Sequence, residues 1–137
     1  MSLELLRRAF TQNHAATDPD ADDPALTGRT YAIPFDRVWN TALKMAHRGL
    51  PGWDVTRSDD REGLIVAEAK TRVFRFVDDV LIRIRLDRNA QTRVDMESSS
   101  RKGSADLGVN RRRIRNFLRE LDRRLEARPS EILEPRQ

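Results

Sequence analysis

Cysteine is absent from the 137-residue chain, which removes disulfide frameworks, zinc-finger spacings and thiol nucleophiles together. Aromatic residues make up 6% of the chain, so few rings are available to stack on bases. Histidine is as sparse, with His14 and His47 far apart and neither beside a second ligand at metal spacing. The lysines are Lys44, Lys70 and Lys102, so nearly all of the positive charge is arginine. No stretch approaches the roughly 20 apolar residues of a membrane span, and the opening Met-Ser-Leu-Glu-Leu-Leu-Arg-Arg breaks the apolar run of a signal peptide. These absences predict a cytoplasmic protein that calls for no metal and no cofactor.

The chain does have enough apolar residues for one core, 38% against 35% charged, provided they are periodic. The net charge of +4 is unevenly spread, because Arg7 and Arg8 stand against Glu4, Asp18, Asp20, Asp22 and Asp23 within residues 1–28. From Gln12 to Gly28 the stretch is acidic, proline-broken and nearly free of large apolar side chains, which predicts a flexible segment over 1–28, with a short helical arm over 3–10. A single domain is expected over 29–128 and a loose tail over 129–137.

Within the domain, Thr30 to Ile33 reads as a short strand ending at Pro34, a residue suited to opening a helix. Phe35, Val38, Trp39, Ala42, Leu43 and Ala46 then recur at helical spacing until Gly49 and Pro51. Trp53 to Ser58 and Leu64 to Lys70 alternate around the polar turn Ser58 to Gly63, and a second alternating pair, Val80 to Leu86 and Val94 to Ser98, surrounds Arg88-Asn89-Ala90. Ile114, Phe117, Leu118, Leu121 and Leu125 mark a last helix from about Val109 to Ala127, closed by Pro129. The order predicts an α+β two-layer sandwich, an antiparallel sheet of about five strands with two helices on one face, of the helix-grip type.

The residues Phe76-Val77-Asp78-Asp79-Val80, a strand bearing Arg83, Ser98 to Arg101, Gly103, and Asp106-Leu107-Gly108-Val109-Asn110 running into Arg113-Ile114 resemble the Domain of Unknown Function 1499 family of bacteria and plastids. The resemblance runs from about Thr30 to Leu125 and implies a fold and a polar cluster, without a reaction. In place of the family's long N-terminal segment, often with an export or membrane signal, this sequence has its short acidic lead-in.

Each candidate chemistry has a structural alternative. Asp78 and Asp79 suggest paired carboxylates, yet neighbours in a strand point to opposite faces, which puts Asp78 on the helix-covered side and Asp79 beside Arg83 on the other. Ser98, Ser99 and Ser100 offer hydroxyls, with no histidine close in sequence to activate one and no supportive spacing for a Ser100 and Lys102 pair. Asp106 can accept amides at the start of the last helix, Gly103 and Gly108 permit unusual backbone angles, and Asn110 lies on the buried stripe, where its amide needs partners. These residues predict a hydrogen-bonded lock in which Asn110, Asp106 and Arg101 tie the loop to the sheet near Asp78 or Asp79.

Arg101, Lys102, Arg111, Arg112, Arg113 and Arg115 gather positive charge where that helix begins. Helical phase turns Arg112, Arg119 and Arg123 outward and Arg111 and Arg113 to the flanks, while Glu120 with Arg124, or Arg119 with Asp122, can pair locally. The sequence is therefore read as a non-catalytic module whose loop and basic helix start meet an acidic protein surface. A small-ligand binder with a chamber between sheet and helices is the alternative. Nucleic-acid binding and hydrolysis rank below both.

Overall fold

Two long strands of alternating character organise the molecule. In the computed structural model, which describes residues 14–71, 75–101 and 107–134, β5 (Val77–Leu86) and β6 (Thr92–Ser100) pair antiparallel over their whole length. Val80, Ile82, Ile84, Val94 and Met96 point to one face and are all buried. The expected arm over residues 3–10 lies outside the described residues, as do Lys102, Gly103 and Asp106.

The other elements are β1 (His14–Ala16), β2 (Arg29–Tyr31), α1 (Phe35–Ala46), β3 (Trp53–Asp59), β4 (Leu64–Lys70), α2 (Leu107–Arg124) and β7 (Ile132–Leu133). The sheet order is β3-β4-β5-β6-β2-β7, and β1 pairs with β6 beside β2, so seven antiparallel strands form one open sheet. At the β3–β4 turn, Gly63 has φ of +66°, and a Cβ there would lie 1.9 Å from the Ile84 carbonyl oxygen. Only glycine lets the turn sit that close to β5.

Both helices cover the same face. Trp53 of β3 stacks on Phe117 of α2 with ring centroids 5.1 Å apart, and Tyr31, Met45 and Met96 help fill the space between the layers. Burying a ring such as Phe117 contributes about 2–3 kcal/mol, so this interior is a packed core. It occupies the place where the alternative reading, a small-ligand binder, would have its chamber.

The sandwich is as expected, while the sheet and the last helix differ in extent. The sheet has seven strands instead of about five because the segments read as loose supply the additional two. Ala15 is buried, Thr17 bonds Met96 through its backbone N–H at 2.8 Å, and Asp23 caps a 3-10 turn over Pro24–Leu26 that packs on α2. Strand pairing uses backbone groups, so a segment poor in large side chains can still join a sheet. At the other end, Ile132 and Leu133 pair with Tyr31 and Thr30, beyond a 3-10 turn at Pro129–Glu131. The last helix ends at Arg124, short of Ala127, where Glu126 takes a left-handed φ of +52°.

Candidate functional site

Strand alternation places Asp78, with 2% exposure, on the helix-covered face and Asp79 on the open one. Across β5 and β6, Asp78 faces Ser100, Asp79 faces Ser99 and Val80 faces Ser98. The serines thus divide by parity as well, Ser98 and Ser100 inward with Asp78, Ser99 outward with Asp79.

The start of α2 completes the inner group. Asn110 and Ser98 are fully buried, and the Ser98 hydroxyl donates to Asn110 Oδ1 at 2.7 Å while Asn110 Nδ2 donates to Ser100 Oγ at 3.0 Å. Arg113, one turn on, reaches the same group from the flank of the helix: its Nη1 donates to Asn110 Oδ1 at 2.9 Å and to Ser98 Oγ at 3.1 Å, and lies 2.7 Å from Asp78 Oδ2. Nη1 has two protons for these three acceptors, and its hydrogen bonds go to the neutral ones. Asp78 Oδ2 therefore receives the positive charge at short range without an aligned hydrogen bond.

On the open face, Arg101 grips Asp79 with Nε to Oδ2 at 2.9 Å and Nη2 to Oδ1 at 2.8 Å, and Nη2 also meets Glu68 Oε2 at 2.5 Å. These bonds, to Asp79 first and then Glu68, raise the guanidinium's pKa above its ordinary value. Residues on both sides of 102–106 are thus held, Arg101 to β4 and β5 on one side of the sheet and Asn110 to β6 on the other. Gly108 is half-buried in the first turn of α2. Arg83 stands apart: it faces Asp95 and Leu64, four residues along β5 from Asp79, a distance of about 13 Å in a strand.

Several partnerships escape sequence reasoning. His14 Nδ1 lies 2.5 Å from Ser99 Oγ, because β1 pairs His14 directly with Ser99. A histidine beside a serine is the beginning of a nucleophilic dyad, but among the described residues none engages the other ring nitrogen to orient the imidazole as a base. Arg111 binds Asp23 with Nε to Oδ2 at 2.5 Å, and that bond holds the Asp23 carboxyl below its usual range. Asp122, expected with Arg119, instead takes Tyr31 Oη at 2.6 Å and Arg29 Nη2 at 2.8 Å. Burial, then the bond to Asp122, pushes the Tyr31 phenol far above its ordinary value; for Arg29 burial pulls down, and the bond and charge of Asp122 outweigh it. A sequence signal for this pair exists, since Asp122 lies four residues after Leu118 and so borders the apolar stripe. The local pairing of Glu120 with Arg124 does form, joined by Arg123, which with Arg124 brings the Glu120 carboxyl down to about 2.

Among the described residues, no three His, Cys, Asp or Glu side chains gather where one metal ion could hold them, and no helix is long and apolar enough to cross a membrane. An open antiparallel sheet with two helices on one face defines the protein as a two-layer α+β sandwich. The family model for Protein of unknown function (DUF1499) matches residues 7–121, most of the chain, and the protein belongs to that family. Comparison with curated proteins and with solved structures returned no match.

Proposed function

We propose that the protein is a non-catalytic interaction module that presents the segment from Arg101 to Leu107, together with the start of α2, to an acidic protein surface. The observation that carries this reading is the anchoring of both ends of that segment. Ser98, Ser100 and Arg113 fix Asn110 from inside, with Asp78 paired to Arg113, and Asp79 with Glu68 fixes Arg101 from outside. The hydroxyls of the group are hydrogen-bonded to neighbours and its carboxylates are paired with arginines, a use that serves positioning and not the activation of a nucleophile. A polar segment held at both ends is a common place for recognition.

The internal ion pairs narrow the charge left for a partner. Arg101, Arg111 and Arg113 are committed to Asp79, Asp23 and Asp78, and Arg123 and Arg124 to Glu120. The polyanion reading loses most from this, since duplex binding draws on many phosphate contacts at a salt slope of about −0.9 each. A protein partner can be read by a few charges and a short polar sequence.

The test is anisotropy of a labelled polyglutamate peptide and of labelled single- and double-stranded oligonucleotides, each at two salt concentrations. Saturable peptide binding, lost in Lys102→Glu and retained in Lys44→Glu on α1, is expected. Tighter binding to duplex with a log–log salt slope steeper than about −3 would replace the protein partner with nucleic acid.

A further inference from the structure

The open face of the sheet holds a hollow of about 410 Å³ at the far end of β5 and β6 from the polar cluster. Its floor is one row across four strands: Arg85 faces Arg93, Arg93 faces Thr30, and Thr30 faces Leu133. Pro19 and Gln91 add walls. The volume falls within the range of about 300–1,000 Å³ usual for small-molecule sites.

Two arginines directly opposite each other repel, and the structure relieves only one of them. Arg93 is 5% exposed and engaged through all three nitrogens: Nη2 donates to the Thr27 carbonyl at 2.6 Å and to Asp95 Oδ1 at 2.8 Å, Nε to Asp95 Oδ2 at 3.2 Å, and Nη1 to Thr30 Oγ1 at 3.2 Å. Gly28, at φ of +75°, seats the backbone on that guanidinium, since a Cβ there would lie 2.4 Å from Arg93 Nη2. Arg85 is exposed and makes no hydrogen bond or ion pair among the described residues. The carboxylates of the hollow do not reach it in that role. Asp87 Oδ1 accepts the amides of Asn89 and Gln91 at 2.8 and 3.0 Å, and Glu134 follows β7, three strands away from β5.

We infer that this hollow binds a small aliphatic carboxylate. The carboxylate forks onto the Arg85 guanidinium, a planar donor matched to two oxygens, with the Gln91 amide at the same end of the hollow. The hydrocarbon body lies along the row toward Leu133 and Pro19, over a floor that the fixed Arg93 and Thr30 keep rigid. This site is separate from the anchored segment and does not depend on the partner proposed for it.

Calorimetric titration of the full chain with acetate, butyrate and hexanoate tests the site, with inorganic phosphate and hexylamine as probes of anion and alkyl chain alone. Affinity should rise about two- to fourfold per methylene along the series, the gain from burying hydrocarbon. Arg85→Gln should weaken hexanoate at least about tenfold, the loss of one charge-assisted fork. Arg83→Gln, on the same strand and face but outside the hollow, should change it by less than a factor of about two. No saturable hexanoate binding, or binding that survives Arg85→Gln, overturns the proposal. Phosphate as tight as hexanoate, or hexylamine as tight, overturns the choice of an aliphatic carboxylate.

Discussion

Asp78 and Asp79 are adjacent in the chain and each meets an arginine, yet the two pairs sit in different media. The Asp78 and Arg113 side chains are 3% and 10% exposed, while those of Asp79 and Arg101 are 50% and 48% exposed. The first pair is surrounded by Ser98, Asn110 and the packed core; the second lies open to water on the uncovered face. A strand has turned two acids that look like one site into two devices, a buried anchor and a surface clamp. The comparison teaches that the two carboxylates cannot act on one atom, and that equal chemistry on opposite faces carries unequal free energy.

The largest effect should come from breaking the buried pair. Asp78→Ala leaves the Arg113 guanidinium enclosed without its counter-charge, and we expect a loss of about 3–5 kcal/mol in urea unfolding. A loss near that of Asp79→Ala would break the comparison. The double variant Asp78→Leu with Arg113→Met sharpens it, because removing both charges should restore part of the stability lost by either one.

Next in size is Asn110→Ala. Asn110 accepts from Ser98 and Arg113 and donates to Ser100, so the substitution strips the buried Ser98 hydroxyl of its acceptor. About 1–3 kcal/mol should be lost in the same titration. Asn110→Asp, which keeps the acceptor oxygens and adds a charge beside Arg113, should lose less if Arg113 dominates the group. A greater loss in Asn110→Asp would show that a second buried carboxylate beside Asp78 costs more than Arg113 returns.

The acidic lead-in supplies a third, smaller test. The Asp23 carboxyl is held below its unfolded value by Arg111, so its contribution is complete above the ordinary carboxylate range, near about 3.9, and is lost as pH falls through the lowered folded value. The Ala25 amide, bonded to Asp23 Oδ1 at 2.9 Å, should move in acid titration by NMR with a midpoint below that of a free aspartate. Asp23→Asn should abolish that step and leave the core signals in place. A midpoint at or above the free value would sink the Arg111 anchor.

Period-2 and period-3.6 patterns made the two helices, the two hairpins and the opposite faces of Asp78 and Asp79 legible in the sequence, because each follows from local geometry. The core-side position of Asn110 was legible for the same reason. What escaped depends on distant pairing. Nothing near His14 in sequence announces Ser99, which lies opposite it only because β1 joins β6. The five carboxylates of residues 1–28 read as solvation, whereas Asp23 is the counter-ion of an arginine on α2. Arg113 falls on the helix flank as its phase predicts, but a long side chain at a flank can turn inward, and only the position of Asp78 shows that it does. Arg83 shares a face with Asp79 and still lies outside the group, since strand register sets distance along the sheet as well as side.

The smallest effect belongs to the surface clamp. Arg101 meets Asp79 in a two-point fork and adds Glu68, geometry as good as a surface pair can offer, but all three side chains are at least one-third exposed. Water and salt screen such pairs, and Asp79→Ala should leave the urea midpoint close to that of the parent protein, the difference shrinking as salt is raised to 0.5 M. Its consequence should appear in the segment that Arg101 begins: amide exchange of residues 102–106 should quicken in Asp79→Ala while that of β5 and α2 stays as in the parent protein. If Asp79→Ala instead destabilises the fold as much as Asp78→Ala, the clamp is part of the core and the contrast between the two faces fails. If exchange over residues 102–106 is unchanged, Arg101 does not hold the segment, and the anchoring on which the proposed recognition surface rests reduces to Asn110 and its partners.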